Sequence, residues 1–384
     1  MMRTGMPGRT CHGGHFAAGL MLAALLLFVA GCAKDLAGNG VAVRNAARPA
    51  WSVSNTQEEM MIALSPVRQT LQIAGSAGTV LGAGISAAQN AAYRREINGV
   101  LGNFAPGLVF EELLAVAMAE NLGTNAVRVQ PMGTAAGYNS AREAAKARWA
   151  GLGRAGYDQV LDLTLTHGIF GPEGVLVTRA VGELRALPSG KLLWRDTITA
   201  HGGPVLACDR LSDPTNQLTP NITSPRLTIM PNAVRQWTED GGVRLKTEFE
   251  QSAERTVEGL LNALGFAETP DGLLALGWNA MQRGQHDKAH ELLQRAQAMD
   301  PGRPDILNVM AVNLAHNEQV EEAVSVTGEL LKMQPEYGAA HFNLAWWLAK
   351  GKKNLDEAKD HYAKALALGL PEHRFLRKRL QSPE

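Results

Sequence analysis

The sequence predicts an α+β multidomain protein, in which a central α/β domain with a β-meander is followed by an all-α helical repeat. Three observations support this prediction. Residues 157–200 alternate apolar and polar side chains between Pro/Gly turns, residues 270–371 repeat with a period of 34 residues, and residues 16–30 form a short apolar run that ends near a cysteine. The first two patterns are typical of a meander and of stacked helix pairs. The third is typical of a leader that is removed before folding.

The leader has the features of a secretory signal peptide. Residues 1–31 contain Arg3 and Arg9 and no acidic side chain, and the apolar run is shorter than the roughly 20 residues that span a bilayer. The run ends in Val29, Ala30, Gly31 and Cys32. These four residues resemble the cleavage box of bacterial lipoproteins. The resemblance implies cleavage after Gly31 and a diacylglycerol on the Cys32 sulfur, with a further acyl chain on the new amino terminus, and two or more chains anchor a protein stably.

Ala33, the residue after the box, indicates whether the inner or the outer membrane holds the lipoprotein. Under the sorting rule of enteric bacteria an aspartate at this position retains a lipoprotein at the inner membrane, so Ala33 favours the outer membrane. We therefore expect an outer-membrane lipoprotein that faces the periplasm. The alternative is an ordinary signal peptide that contains a cysteine by chance.

Charge and cysteine content exclude two further features. The chain has 37 basic and 37 acidic residues, and loss of the leader leaves a net charge of about −2, so there is no electrostatic footprint for nucleic acid. Cys11 leaves with the leader and Cys32 is the lipidation site, which leaves Cys208 alone. A disulfide within the mature chain is therefore excluded, and we expect Cys208 to be a buried thiol.

Two segments are predicted to precede the α/β domain. Residues 32–68 are rich in Ala, Gly, Asn and Ser without any period, which predicts a lipidated, flexible tether. Residues 69–103 form an Ala/Gly-rich segment, and its first part, 69–93, has no charged side chain. This segment either packs on the next domain or lies against the bilayer, and its many glycines favour packing.

The α/β domain is predicted over residues 104–265. We expect helices over 106–122, 140–153 and 232–264, strands over 126–129, 157–166, 175–187 and 192–200, and a long proline-containing segment over 201–231. Residues 157–164 and 184–194 resemble the periplasmic domain of curli-secretion and exopolysaccharide-export lipoproteins, in which a strand leads into a Ser/Thr-Gly-Lys-x-x-Trp hairpin. The resemblance implies ring assembly and export. Unlike a pore subunit, the sequence has no obvious pair of long amphipathic barrel strands.

The C-terminal period is the strongest internal signal. Pro301 recurs as Pro335 and Ala289 recurs as Ala323, and a third unit follows with one extra residue. This spacing resembles the tetratricopeptide repeat, in which each unit is a pair of antiparallel helices. We expect three units over 270–371, with residues 372–384 as a capping helix and tail.

The resemblance implies a concave groove lined by the first helix of each unit. Carried over to this sequence, the groove residues are Leu274, Trp278, Met281, Asn308, Val312, His316, Phe342, Trp346 and Lys350. Exposed aromatic clusters mark protein-binding sites, so we expect a protein partner there. The alternative is that helix 232–264 fills part of the groove. The groove lacks the lysine and asparagine set by which some relatives hold a C-terminal carboxylate, which disfavours that class of partner.

No motif predicts catalysis. There is no Gly-x-Ser-x-Gly nucleophile elbow, and His286 and His290 have the spacing of a zinc pair without a third ligand. We therefore expect no enzyme activity, no metal and no cofactor. The predicted function is that of a membrane-anchored periplasmic scaffold in assembly or export of an envelope component. One alternative is an enzyme, which a cluster of acidic, His and Asn residues under the segment 201–231 would favour. Another is a subunit of an outer-membrane export ring.

Overall fold

The computed structural model describes residues 46–55, 59–62, 91–123, 125–132, 138–170, 174–209, 231–351 and 354–381. The predicted cleavage box, Val29, Ala30, Gly31 and Cys32, lies outside these residues. The same is true of residues 63–90, which contain most of the uncharged segment, and of residues 210–230.

Six strands and twelve helices make up the described part of the chain. The strands are β1 (Pro49–Asn55), β2 (Met61–Ile62), β3 (Val127–Arg128), β4 (Gln159–Phe170), β5 (Val175–Ala186) and β6 (Lys191–Gly202). The helices before the repeats are α1 (Ala91–Leu101), α2 (Pro106–Leu122), α3 (Tyr138–Arg154), α4 (Pro231–Thr238) and α5 (Val243–Ala263). Those of the repeats and the cap are α6 (Pro270–Gln282), α7 (His286–Met299), α8 (Pro304–His316), α9 (Val320–Met333), α10 (Gly338–Gly351), α11 (Leu355–Ala367) and α12 (Arg374–Gln381).

The sheet is mixed, and the predicted fold class is confirmed. Its strand order is β3-β1-β4-β5-β6, and β2 pairs with the far end of β4. Strands β4, β5 and β6 form the predicted antiparallel meander, whereas β1 lies between β3 and β4 and runs parallel to both. Leu161, Leu163 and Leu165 alternate onto one buried face of β4, as the period of a strand requires.

Strand β1 corrects the predicted tether. Residues 49–55 were expected to belong to the flexible stretch 32–68, but they pair with β4 along their whole length, from Pro49 opposite Gln159 to Asn55 opposite Leu165. Trp51 and Val53 are buried in the core. The folded domain therefore begins at or before Pro49. The expected start at residue 104 is also too late, because Ile97 of α1 is fully buried in the same core.

Helices pack along one face of the sheet, and a single helix is attached to the other face by an ion pair. On one face α5 crosses β5 and β6 and packs beside α2, and Phe110, Leu114 and Phe249 fill the space above β4. On the other face α3 is held by Arg148, whose guanidinium donates to both carboxylate oxygens of Asp162 at 2.8 and 2.9 Å. No single described helix is long and apolar enough to cross a membrane, although α1 and α2, bent by 59°, pass that test together.

The repeat region consists of three helix pairs: α6 and α7, α8 and α9, and α10 and α11. Pro270 and Pro304 stand in the first turns of α6 and α8, where the missing N–H has no intrahelical partner to lose. Small residues permit close crossings; a Cβ on Gly277 would lie 2.8 Å from Leu293 Cγ. Helix α12 caps the third pair through its buried Leu376 and Leu380.

Candidate protein-binding site on the repeats

Most of the groove predicted from the sequence is closed in the structure. Six of its nine residues are at most 5% exposed: Leu274, Trp278, Met281, Asn308, Val312 and Phe342. His316 and Trp346 are partly exposed, and Lys350 is exposed. The predicted residues therefore divide into a covered part and an open part near the ends of α8 and α10.

A segment of the same chain covers the groove. Residues 203–209, here called the groove segment, follow β6 and run along the first helices of the repeats. The Val205 carbonyl accepts hydrogen bonds from Asn308 Nδ2 at 2.7 Å and from Asn343 Nδ2 at 3.3 Å. Asn343 Oδ1 accepts from the Ala207 N–H at 2.7 Å. We call Asn308 and Asn343 the asparagine clamp, because together they bind the main chain of the segment.

The side chains of the groove segment complete the cores of the repeats. Val205 and Ala207 join the cluster formed by the first two repeats and by the end of the sheet. Leu206 and Cys208 join the cluster around Phe342 in the third repeat. Cys208 is buried at 8% exposure. The segment is thus an integral part of the packing between the sheet and all three repeats.

A buried histidine and aspartate close the turn at the end of this segment. His201 Nε2 lies 3.2 Å from Asp209 Oδ2, and His201 Nδ1 lies 3.2 Å from the Gly203 carbonyl. The His201 ring also meets Trp278 edge to face, with centroids 5.5 Å apart. Both ring nitrogens of His201 are therefore engaged by contacts within the fold.

This cluster bears on the alternative of an enzyme. Asp209, His201 and Asn308 do lie together under the start of the segment 201–231, as that alternative requires. His201 and Asn308 line a cavity of about 30 Å³, which is space for water and not for a substrate, whereas Asp209 also lines a cleft of about 1160 Å³. All three residues form hydrogen bonds to the groove segment or within it, which gives the cluster a structural role.

Helix α5 packs against α6, the first helix of the repeats. Arg255 on α5 forms ion pairs with Asp271 at 3.2 Å and Asp305 at 3.0 Å. Arg303 binds the same two carboxylates at 2.8 and 2.6 Å. Burial alone would raise the pKa of the Asp271 carboxyl, but Arg303 and Arg255 outweigh it and hold that pKa below its usual value. The network joins α5 to the first two repeats.

The open part of the predicted groove belongs to a cleft of about 1160 Å³ that is lined by residues of all three repeats. We call it the inter-repeat cleft. Four of the nine predicted residues line it: the open residues His316, Trp346 and Lys350, and Met281 at the edge of the covered part. Val320, Val324 and Trp347 add apolar surface, Glu318 and Glu321 add charge, and Ala207 and Asp209 of the groove segment contribute one wall. Apolar surface with a few charged groups is typical of a binding site.

The two histidines with zinc-pair spacing do not form a metal site with a third residue. His286 Nδ1 lies 3.0 Å from Asn313 Oδ1, and Asn313 Nδ2 donates to the His286 carbonyl. Within the described ranges, no group of three or more His, Cys, Asp or Glu side chains is placed to hold a metal ion. His286 is instead part of the contact between the first and second repeats.

Sequence reasoning missed the most informative residues of this site. Asn343 and Trp347 were not among the predicted groove residues, and the groove segment was considered only as part of a long loop. One signal was present: Asn308 and Asn343 are polar residues within mostly apolar first helices, 35 positions apart. A buried asparagine needs hydrogen-bond partners, so this pair predicts a main-chain segment beside it.

Helix pairs stacked with small residues at their crossings define a helical-repeat region. Residues 280–345 match the family model described as Tetratricopeptide repeat, which confirms the repeats predicted at the C-terminal end. Repeats of this family generally mediate contacts between proteins and are typically non-enzymatic. None of the curated proteins matches the chain.

Proposed function

We propose that this protein is a lipid-anchored scaffold of the outer membrane that faces the periplasm and binds a protein partner in the inter-repeat cleft. The proposed process is assembly or export of an envelope component. The observation that supports partner binding is the cleft itself, which holds the partly exposed Trp346 and the exposed Lys350 beside apolar surface from the repeats. Tryptophan and neighbouring charge are typical of the residues that dominate protein interfaces.

The cleft is a better binding site than the rest of the groove. A partner in the covered part would have to displace the groove segment and break the hydrogen bonds of Val205 and Ala207 to the asparagine clamp. It would also expose the apolar side chains of the segment to water. The cleft needs no such rearrangement, because the groove segment already forms its wall.

The proposed anchoring rests on the Val29-Ala30-Gly31-Cys32 box. Strand β1 begins at Pro49, and the intervening chain can reach at most about 60 Å from Cys32 at the limiting length per residue. A tether of this length keeps the α/β domain near the membrane. The repeats follow it in the chain and bring a periplasmic partner to the same surface. The export part of the proposal comes from the resemblance of residues 157–164 and 184–194 to export lipoproteins.

Site-specific photocrosslinking in cells tests partner binding. A photoreactive amino acid in place of Lys350 samples the cleft, and the matched control replaces Lys288, which is exposed on α7 outside the cleft. We expect a discrete adduct from position 350 and none from 288 at equal expression. The adduct should diminish when His316→Ala and Glu318→Ala are added, since both residues line the cleft. Absence of an adduct at 350, or identical adducts at both positions, would exclude the cleft.

A further inference from the structure

Two histidines face each other across the two helices of the third repeat. His341 Nδ1 on α10 and His361 Nδ1 on α11 are 2.7 Å apart, and the two rings are tilted by 31° with centroids 5.0 Å apart. His341 Nε2 lies 2.9 Å from the Pro335 carbonyl. A carbonyl oxygen can only accept, so His341 Nε2 holds the proton and its Nδ1 is the acceptor. His361 Nδ1 therefore donates, and one proton lies between the rings.

The surroundings of the pair oppose the addition of a further proton to either ring. His341 is 4% exposed and His361 is partly exposed. Burial lowers the pKa of His341, and the charge of Lys364 lowers it further, whereas the hydrogen bond to the Pro335 carbonyl raises it. Burial also lowers the pKa of His361, with His341 and Lys364 acting in the same direction and Glu357 and Asp360 against it. In the described part of the chain, the charged side chains that act on the pair all lie on α11.

We propose that His341 and His361 form an acid-sensitive lock that holds α10 against α11. The lock opens the third repeat when both rings become doubly protonated. With both rings doubly protonated, two N–H groups would face each other over 2.7 Å, which is no longer a hydrogen bond. Like charges would also lie side by side in a partly buried site. His341 is enclosed and bound to Pro335, so the partly exposed His361 is the ring that must turn away, and α11 loosens with it.

The direction of the effect follows from linkage. Both histidines have a lower pKa in the folded protein than in the unfolded chain, so the unfolded chain binds protons first as the pH falls. The stabilisation from the pair is complete above the ordinary histidine value of 6.5 and is lost progressively below it. Each proton changes the opening equilibrium by up to about tenfold per pH unit.

Opening of the third repeat would alter the binding site. Helix α10 carries Trp346, Trp347 and Lys350 of the inter-repeat cleft, and Asn343 of the asparagine clamp. Mild acid would therefore weaken the cleft and the hold on the groove segment together. This consequence rests on the proposed function of the cleft, whereas the lock itself does not.

Hydrogen exchange of the full chain between pH 7.5 and 5.0, corrected for the intrinsic exchange rate, tests the lock. In the wild type we expect amides of α10 and α11 to lose protection about tenfold or more per pH unit below 6.5, while those of α6 and α8 change less. His361→Gln keeps a donor for His341 and does not titrate, so its loss of protection should be at least tenfold smaller at pH 5. The matched control His290→Gln, on α7 outside the cleft, should behave as the wild type in the third repeat.

Three results would overturn the lock: protection of α10 and α11 that does not depend on pH, equal pH dependence in the wild type and His361→Gln, or a loss spread evenly over all three repeats. If His361→Gln does not fold, the histidine NMR signals of the wild type decide. Two coupled titrations below pH 6.5 support the lock, and independent titrations at the ordinary value refute it. Failure of the cleft to bind a partner at neutral pH leaves this outcome unchanged, so the two proposals can fail separately.

Discussion

Replacing Asn343 by alanine would test whether the asparagine clamp fastens the groove segment to the repeats. Asn343 is completely buried and takes part in three hydrogen bonds, with Val205, Ala207 and Asn308. In Asn343→Ala two buried groups lose their partners: the Ala207 N–H, in a residue that is 4% exposed, and Asn308 Oδ1. The Val205 carbonyl keeps its bond to Asn308. Each buried group without a partner costs about 1–3 kcal/mol.

We therefore expect Asn343→Ala to lower the free energy of unfolding by about 2–6 kcal/mol. Denaturant unfolding measures the loss of stability. Hydrogen exchange should show that the amides of residues 205–207 lose their protection from exchange before those of the rest of the repeats. Asn317→Ala is the control, because Asn317 is exposed beyond the end of α8 and its loss should change stability by less than about 0.5 kcal/mol. A loss below about 1 kcal/mol with unchanged exchange at 205–207 would refute the clamp.

Two further predictions concern the anchor and the sheet. Cys32→Ser should move the protein from the membrane to the soluble fraction, because the proposed acyl chains can no longer attach, and full membrane retention would show another anchor. His167 lies against Phe249 in the core, and burial lowers its pKa to about 4. Folding stability should therefore fall by up to about 3 kcal/mol as the pH drops from 6.5 to 4. His167→Phe should reduce that slope in denaturant titrations at several pH values, and an unchanged slope would assign the acid sensitivity to other groups.

The features that sequence reasoning predicted correctly are those encoded over short distances. The meander was predictable because β4, β5 and β6 follow one another with short turns and side chains that alternate between two faces. The repeats were predictable because each helix pair packs mostly on itself and on its neighbour, so the same small residues recur once per unit. Gly277 and Ala289 show this, since both lie where the two helices of the first repeat cross.

Strand β1 could not be recognised in the same way. It is only seven residues long, and its partner β4 lies about 110 residues further along the chain. Parallel strands are not joined by a tight hairpin turn, so no turn residues in the sequence mark the position of this strand. The alternation of Trp51, Ser52, Val53 and Ser54 was present, but a short pattern among Ala, Gly and Asn residues is compatible with a tether as well.

What the sequence determined by itself is local: the apolar run that ends at Cys32, the meander and the 34-residue period with its groove-facing positions. Only the tertiary structure decided which of those positions are open. The groove segment and the asparagine clamp are 103 to 138 residues apart in the sequence. A repeating sequence pattern does not predict contacts between residues so far apart. A helix face that is apolar in sequence is equally suited to a partner and to the protein's own chain. The fold covers Trp278 and Asn308 with the groove segment and leaves Trp346 and Lys350 beside the cleft.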